Sequence, residues 1–294
     1  MTSVAPAKGL IALLRLPYWL MTGGLSVLTA FAITKSMIAP EKIALIFFSM
    51  AFITSAGFAI NDYFDRESDA VIKPKRPIPS GALSLKQVVT VSGLLFAVGL
   101  IMAAYINWLS FAIIAVDSIL LLIYSTLVKR KSGFVANILI GILTGTAFMY
   151  GQATISSPAT VGLISISLYP IAFGTIGGNV LRDILSAEGD SKVGYPTLPQ
   201  RIGTAKSAKL AALFFILTAI LAPLPSLPFF AGHFTIYYLP LILLWSALLL
   251  YASARLITLT STVSNVRKYE RIITMSMILL PLALIIEATL GALI

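Results

Sequence analysis

Residues 43–69 read IALIFFSMAFITSAGFAINDYFDRESD. From Ile43 to Ile60 there is no charged side chain, and about 20 apolar residues in helical form suffice to cross a bilayer. The stretch therefore predicts a membrane-crossing helix. Asn61, Asp62, Asp65 and Asp69 follow it with no Gly or Pro between them. If the helix continues, separations of three, four and eight residues set them along one face. Carboxylates stacked in this way repel one another, so the face requires positive charge among them. A set of hard oxygen ligands suits Mg²⁺, which keeps part of its water and bridges to substrate phosphates.

The rest of the chain agrees with a membrane setting. Of its 294 residues 58% are hydrophobic and 11% charged, with a mean hydropathy of +0.96, whereas soluble domains carry roughly 25% charge. This excludes a water-soluble globule and, with it, the nucleic-acid-binding reading that a net charge of +10 would otherwise invite. There is no cysteine, so disulfides, thiolate zinc sites and cysteine nucleophiles are excluded. Residues 10–14 are followed by Arg15 and Pro17 rather than by a small-residue cleavage site, and no removable signal peptide is expected. Nine apolar stretches are predicted to cross: 18–37, 43–60, 87–106, 108–128, 134–151, 160–181, 207–229, 236–256 and 271–292. The expected fold class is all-α, a nine-helix membrane bundle forming one domain over residues 1–294.

The basic residues orient this bundle, because cytoplasmic loops hold the Lys and Arg excess. With the N-terminus inside, the inner segments hold Lys8 and Arg15; Arg66, Lys73, Lys75, Arg76 and Lys86; Lys129, Arg130 and Lys131; Arg182, Lys192, Arg201, Lys206 and Lys209; and Arg255, Arg267, Lys268 and Arg271. Only Lys35 and Lys42 fall outside. The expectation is a multi-pass protein of the cell membrane with its N-terminus cytoplasmic and its C-terminus outside.

Seven of the eleven acids lie in two inner connections. Asp62, Asp65, Glu67 and Asp69 form the first; Asp183, Glu188 and Asp190 form the second, within RDILSAEGDSKVGYPTLPQRIG at 182–203. Cations flank both: Lys73, Lys75 and Arg76 in KPKRPIPSG, and Arg182, Lys192 and Arg201 around the second, while Lys129 and Arg130 follow Tyr124 on a third inner loop. Two carboxylate clusters bridged through Mg²⁺ to an anion, with Lys and Arg as clamps, describe a diphosphate site.

At these residues the sequence resembles the UbiA-type intramembrane prenyltransferases. The NDxxDxxxD motif of that family is complete in Asn61, Asp62, Asp65 and Asp69, KPKRPIPSG resembles the run that follows it, and Glu188, Gly189 and Asp190 match the EGD of the second motif. One position departs: Ser186 stands where many members carry Asp. The resemblance implies metal ligands at Asn61, Asp62, Asp65, Asp69, Asp183, Glu188 and Asp190, with catalysis resting on Asp62, Asp65, Asp69, Asp183 and Asp190. It also implies a Tyr and Lys pair, matched by Tyr124 and Lys129, and a substrate-binding Arg15, whose usual Asn partner three residues on is here Tyr18. Mg²⁺ would neutralise the diphosphate of an isoprenoid donor as leaving group, Lys73, Arg76, Lys129 and Arg130 would complement its charge, and a lipophilic acceptor would attack where water is excluded. Membrane lipids are the only other partners expected, with no nucleic acid and no obligatory protein partner.

Asp117 lies about 16 Å deep in its span, and either lines the pocket or makes an interhelical hydrogen bond. Glu287, near the outer interface, is expected to reach the headgroups, and His233 in an outer loop to be incidental. Small residues such as Ser55, Ala56 and Gly57, Gly141 and Gly145, and Gly174, Gly177 and Gly178 are expected to permit close helix packing. Pro223, Pro225 and Pro228 are expected to end the seventh helix. Within the family, length and the proline-rich LAPLPSLPFF resemble the archaeal ether-lipid branch, whose acceptor is geranylgeranylglyceryl phosphate. An aromatic ring or a tetrapyrrole is the alternative acceptor. A transporter or channel is the reading from another class, opposed by the gathering of the acids on one side.

Overall fold

A computed structural model describes residues 6–155, 171–192, 194, 196–228, 234–259 and 262–293. Among them the regular structure is entirely helical. Among the described residues eight helical stretches are long and apolar enough to cross a membrane: Pro6–Thr34, Pro40–Phe64, Leu85–Ile106, Trp108–Lys131, Gly133–Ala153, Thr204–Ser226, Leu239–Thr258 and Val263–Leu290. The expected sixth span, 160–181, begins outside the described residues, and its described part opens the helix Ala172–Lys192. His233 also lies outside them.

Two expected boundaries move for physical reasons. The first crossing begins at Pro6, not at 18, as a broken rod of α1 (Pro6–Leu14), α2 (Pro17–Trp19), a π-helical turn at Leu20–Gly24 and α3 (Leu25–Thr34). The last crossing begins at Val263, not at 271, because Val266, Tyr269, Ile273 and Ser276 make a buried stripe at helical spacing that Arg267, Lys268 and Arg271 conceal in a hydropathy average. Large aliphatic side chains such as Leu94 and Ile101 stay more than half exposed along the crossing helices, as a lipid-facing surface requires.

The chain divides into two compact units, one of residues up to Val27 with Ala39–Lys129, the other of Leu28–Ile38 with residues from Arg130 onward. In the first, α4 (Pro40–Phe64) packs on α6 (Leu85–Ile106), on α7 (Trp108–Ile123) and on the first rod. Small residues set the approach distances: a Cβ on Gly57 would stand 2.8 Å from Leu121, and one on Gly99 2.9 Å from Ile53. In the second unit, Gly141 of α9 (Gly133–Ala153) meets Ile176 of α10 (Ala172–Lys192), and Gly177 meets Phe215 of the crossing helix that starts at Thr204. That helix ends at Leu221, where Pro223 and Pro225 follow, as expected.

Gly23 offers the sharpest packing test. A Cβ there would lie 2.5 Å from the carbonyl oxygen of Phe47, a backbone atom that cannot step aside. Gly23→Ala should destabilise the protein by about 1–3 kcal/mol, the usual cost of overpacking, read as a lower thermal midpoint in detergent; an unchanged midpoint would mean that the first rod does not press on α4.

Candidate active site

The first acidic motif is built by α4 running on past the apolar span. α4 ends at Phe64, Asp65 takes a φ of −85° and ψ of 0°, and α5 (Arg66–Ile72) resumes at once, with the Asp69 N–H donating to the Asp65 carbonyl at 2.8 Å. The near-continuous helix places Asp62, Asp65 and Asp69 on one buried face, each no more than 5% exposed. Glu67, between them, points to solvent.

Three buried carboxylates require counter-charge, since an unpaired ion inside a protein is prohibitively destabilising. Each receives it. Arg15 donates to Asp62 at 2.5 Å, Arg76 donates to Asp62 at 2.9 Å and also to Asp69, and Lys129 binds Asp65. Asn61 Nδ2 donates to Asp65 at 2.8 Å.

The cations arrive by separate devices. Arg15 has a φ of +51°, a left-handed conformation that breaks the first rod between α1 and α2, a strain of order 1 kcal/mol or more for a non-glycine residue. The Leu14 carbonyl freed by the break accepts from Ser55 Oγ at 2.6 Å and Trp19 Nε1 at 3.3 Å. The Arg15 guanidinium lies 4.3 Å from the Phe58 ring centroid, against which Tyr18 packs edge-on at 4.6 Å. Arg76 comes from a folded loop in which its N–H donates to the Lys73 carbonyl and Leu83 donates to Pro77, turning through Gly81 at a φ of +74°. Lys129 follows a π-helical turn, Tyr124–Val128, whose extra residue per turn resets the helix face.

Beside Asp62 opens a cleft of about 440 Å³ whose charged lining is Arg15, Lys73, Lys75, Arg76 and Asp62, with Ala12, Tyr18 and Pro77 completing the wall. Burial, then the like charges of Arg76, Lys129 and Arg15, hold the Lys73 ammonium below the usual lysine range, against the opposing pull of Asp69. Asp117 is buried in α7 and is not part of this lining. Tyr124 is half-buried on the π turn, and Arg130 is exposed and belongs to the other unit.

The second motif is helical rather than a loop, because α10 continues to Lys192. Asp183, Ser186 and Asp190 therefore share a face at spacings of three and four. Asn137 Nδ2 donates to Asp183 at 2.8 Å and Ser186 Oγ donates to Asp190 at 2.6 Å. Burial pushes the Asp183 carboxyl up to about 6 although the Asn137 hydrogen bond opposes it, and the Asp190 charge adds to the rise. Glu188 points away and pairs with Lys192 at 3.7 Å, its side chain exposed.

Among the described residues no three carboxylate or imidazole groups close to metal-ligand spacing; each carboxylate of the first motif is engaged by a cation instead. The donor set nevertheless fits a hard divalent ion. It offers only oxygen, and Asn61 Oδ1 is buried with no hydrogen-bond partner, an omission that destabilises by about 1–3 kcal/mol unless a ligand supplies the contact. Sequence reasoning missed Ser55, Trp19 and Asn137 as supports. Their only signal is a polar group within or beside a largely apolar stretch, Ser55 well inside α4 and Asn137 in the second turn of α9.

Apolar crossing helices that end in buried aspartates balanced by arginine and lysine define an integral-membrane enzyme built to handle a charged group on a lipid-soluble molecule. Residues 22–280 match the model of the UbiA prenyltransferase family, and the chain belongs to that family. It is a multi-pass membrane prenyltransferase, which sets aside the transporter and channel reading. The digeranylgeranylglyceryl phosphate synthase of Natronomonas pharaonis is 35% identical over 220 residues, 75% of this chain and 78% of its own length. That of Methanopyrus kandleri is 38% identical over 204 residues, 69% of this chain and 72% of its own. A solved structure from work on digeranylgeranylglyceryl phosphate synthase in membranes superposes with a TM-score of 0.81 at 28% identity, over 96% of this chain and 98% of that one. A UbiA homologue from Archaeoglobus fulgidus bound to DMAPP and Mg²⁺ shares the fold, with a TM-score of 0.65 at 19% identity over 92% and 98% of the two chains.

Proposed function

We propose that this prenyltransferase moves a geranylgeranyl group from its diphosphate to the hydroxyl of geranylgeranylglyceryl phosphate, in Mg²⁺-dependent archaeal ether-lipid synthesis, with its acidic motifs and N-terminus on the cytoplasmic side. The observation that carries it is the cluster of Asp62, Asp65 and Asp69, buried at the end of a crossing helix and matched by Arg15, Arg76 and Lys129. The relatives' names support the choice of acceptor.

Asn61, Asp62, Asp65 and Asp69, with Asp183 and Asp190 as further carboxylates, would hold Mg²⁺, which supplies charge neutralisation of a diphosphate leaving group. Arg76 and Lys129 would exchange their carboxylate partners for phosphate oxygens, and Lys73 would add its charge, so that together they stabilise the charge that gathers there as the allylic C–O bond breaks. The acceptor oxygen forms the new bond to that carbon, the electron pair of the broken bond departs with the diphosphate, and the hydroxyl proton passes to an oxygen of that diphosphate. The surrounding apolar helices keep water from capturing the electrophilic carbon.

Mass spectrometry of products formed from geranylgeranyl diphosphate with each acceptor class is the test. Geranylgeranylglyceryl phosphate left unmodified while a ring or tetrapyrrole is alkylated would overturn the assignment. Ser186 also gives a graded prediction. A carboxylate in its place would join Asp183 and Asp190 on one face, so Ser186→Asp should lower the Mg²⁺ concentration needed for half-maximal rate. Because Asp183 protonates near pH 6, the Mg²⁺ requirement should rise as pH falls through that value, metal and proton competing for one group. A requirement identical in wild type and variant at pH 6 and 8 would place position 186 outside the metal shell.

A further inference from the structure

The last crossing stretch is longer than a bilayer needs. Val263–Leu290 holds 28 residues, about 42 Å at 1.5 Å per residue, against a hydrocarbon core of about 30 Å. Between Arg271 and Glu287 it carries no charged side chain, so the surplus of about 12 Å falls at the Val263 end and sets Arg267, Lys268 and Arg271 at headgroup level. Val266, Tyr269 and Ile273 bury one side of this helix, and the three cations, at spacings of three and four, share its exposed side. A fourth cation joins them from the helix Leu239–Thr258. Arg255 is exposed, and its Nε donates to the Tyr269 hydroxyl at 3.3 Å. The Tyr251 ring meets that of Tyr269 edge-on at 6.2 Å, and Lys268 Nζ lies 5.7 Å from the Tyr269 centroid. The buried tyrosine thus gathers a guanidinium and an ammonium from two helices at one spot. Among the described residues none of the four cations makes an ion pair, and the acid among them in sequence, Glu270, accepts from Thr274 Oγ1 at 2.9 Å. The bias that orients the crossing helices accounts for the sign of these residues, but not for an arginine fixed by a phenol instead of an acid. Next along the same face, Met275, Ile278 and Leu282 are 66%, 59% and 41% exposed, an apolar strip that begins one turn beyond Arg271 and runs into the bilayer.

We propose that Arg255, Arg267, Lys268 and Arg271 seat the phosphate of an anionic phospholipid of the surrounding membrane, with its chain along Met275, Ile278 and Leu282. The bound molecule is a resident lipid, not a reactant. Guanidinium forks suit phosphate oxygens, and the cations without acidic partners supply the complement to a headgroup charge. The apolar strip beside them gives a lipid chain a contact that a free anion or an acidic peptide would not use. Because the seat joins the helices Leu239–Thr258 and Val263–Ser276, an occupied seat clamps them together and stabilises the fold by mass action.

The full chain in neutral detergent, titrated with phosphatidylglycerol or phosphatidylcholine, provides the test, through lipid retained in native mass spectrometry and through the thermal midpoint. Wild type should retain phosphatidylglycerol in preference and melt higher with it. Arg267→Gln, Lys268→Gln and Arg271→Gln combined should weaken that lipid by about 100-fold, each cation beside an anionic headgroup being worth roughly 5-fold, and abolish the rise in midpoint. Tyr269→Phe, which releases Arg255 while keeping the ring, should weaken it by about 5-fold, the scale of one hydrogen bond. The control is Lys86→Gln, Lys206→Gln and Lys209→Gln combined, three exposed cations of two other helices, which should bind within about 2-fold of wild type. Equal retention of the two lipids, or an equal loss in the control, would reduce the patch to diffuse surface charge and overturn the proposal. Inorganic phosphate or polyglutamate displacing the lipid at the same concentration would overturn it too, the first as a site for free phosphate and the second as a site for an acidic protein. Prenyl transfer without added phospholipid should stay within about 2-fold in the first triple variant; its loss would make the patch part of the substrate path instead. Should that variant not fold, Arg271→Gln alone, at one exposed position, carries the test with a loss of about 5-fold, and unchanged binding there overturns the seat.

Discussion

Asp65→Ala is expected to lose prenyl transfer by about 10³-fold or more, the scale on which removal of one preorganised electrostatic group is felt in an enzyme site. Asp65 is the residue at which the helix changes course, it receives Asn61 and Lys129, and it is 5% exposed. Without its carboxylate the proposed metal set loses its central oxygen ligand, and Lys129 loses the partner that holds it in place. The fold should survive. Stripping one partner from a closed buried pair costs about 3–5 kcal/mol, but the Lys129 side chain is 23% exposed and can turn to solvent. Asp65→Asn separates charge from shape, since its amide oxygen still accepts from Lys129; it should be as inactive as the alanine variant and melt closer to wild type. Product formation and thermal unfolding on the same detergent preparation decide the matter. Turnover of Asp65→Ala within about 10-fold of wild type would remove the first motif from the chemistry.

What the sequence makes legible here is what local patterning controls. The run from Ile43 into Asp69 announces both a crossing helix and a one-sided acidic face, because apolar length and the 3.6-residue period are properties of adjacent residues. The structure places the acids as that period requires, with Glu67 turned out. The start of the first rod is not legible. Arg15 and Pro17 look like an interruption, yet the chain continues through them because Ser55 and Trp19 satisfy the carbonyl that the break exposes, and Ser55 lies 41 residues from Leu14. Ser55 was expected only to thin the helix for packing.

The second motif fails differently. Gly189 and the acids around it resemble a loop, whereas a helix through Lys192 satisfies the backbone internally and brings Ser186 under Asp190. Glu188 then falls on the wrong face to join Asp183, a consequence of helical phase that a loop reading cannot contain. The cations divide likewise. Arg76 and Lys129 are legible as neighbours of an acidic motif, but their assignment to Asp69 and Asp65 depends on the turn at Gly81 and on the π turn after Ile123.

Lys35→Met is expected to destabilise the protein more than Lys35→Met combined with Glu287→Gln. Lys35 is one of the two cations that the sequence reading sets apart from the other nineteen, and the structure gives it a buried partner. Glu287, expected at the headgroups, is instead fully buried, accepting from Thr235 N–H at 2.8 Å and Thr235 Oγ1 at 2.7 Å, with Lys35 Nζ at 3.0 Å. Gly291 leaves it room, since a Cβ there would stand 2.8 Å from Glu287 Oε1. Removing Lys35 strands a buried carboxylate on two hydrogen bonds, a loss of about 3–5 kcal/mol, which at roughly 2–4 °C per kcal/mol lowers the thermal midpoint by on the order of 10 °C. Neutralising Glu287 as well removes the stranded charge while an amide oxygen still accepts from Thr235, so the double variant should regain part of the loss. The coupling in this double-mutant cycle is the signature of the pair. Prenyl transfer per folded molecule should stay at the wild-type level throughout, because neither residue contributes to the aspartate cluster or the cleft. A Lys35→Met protein that melts with the wild type would mean that Thr235 holds the carboxylate without the lysine and that Lys35 is incidental.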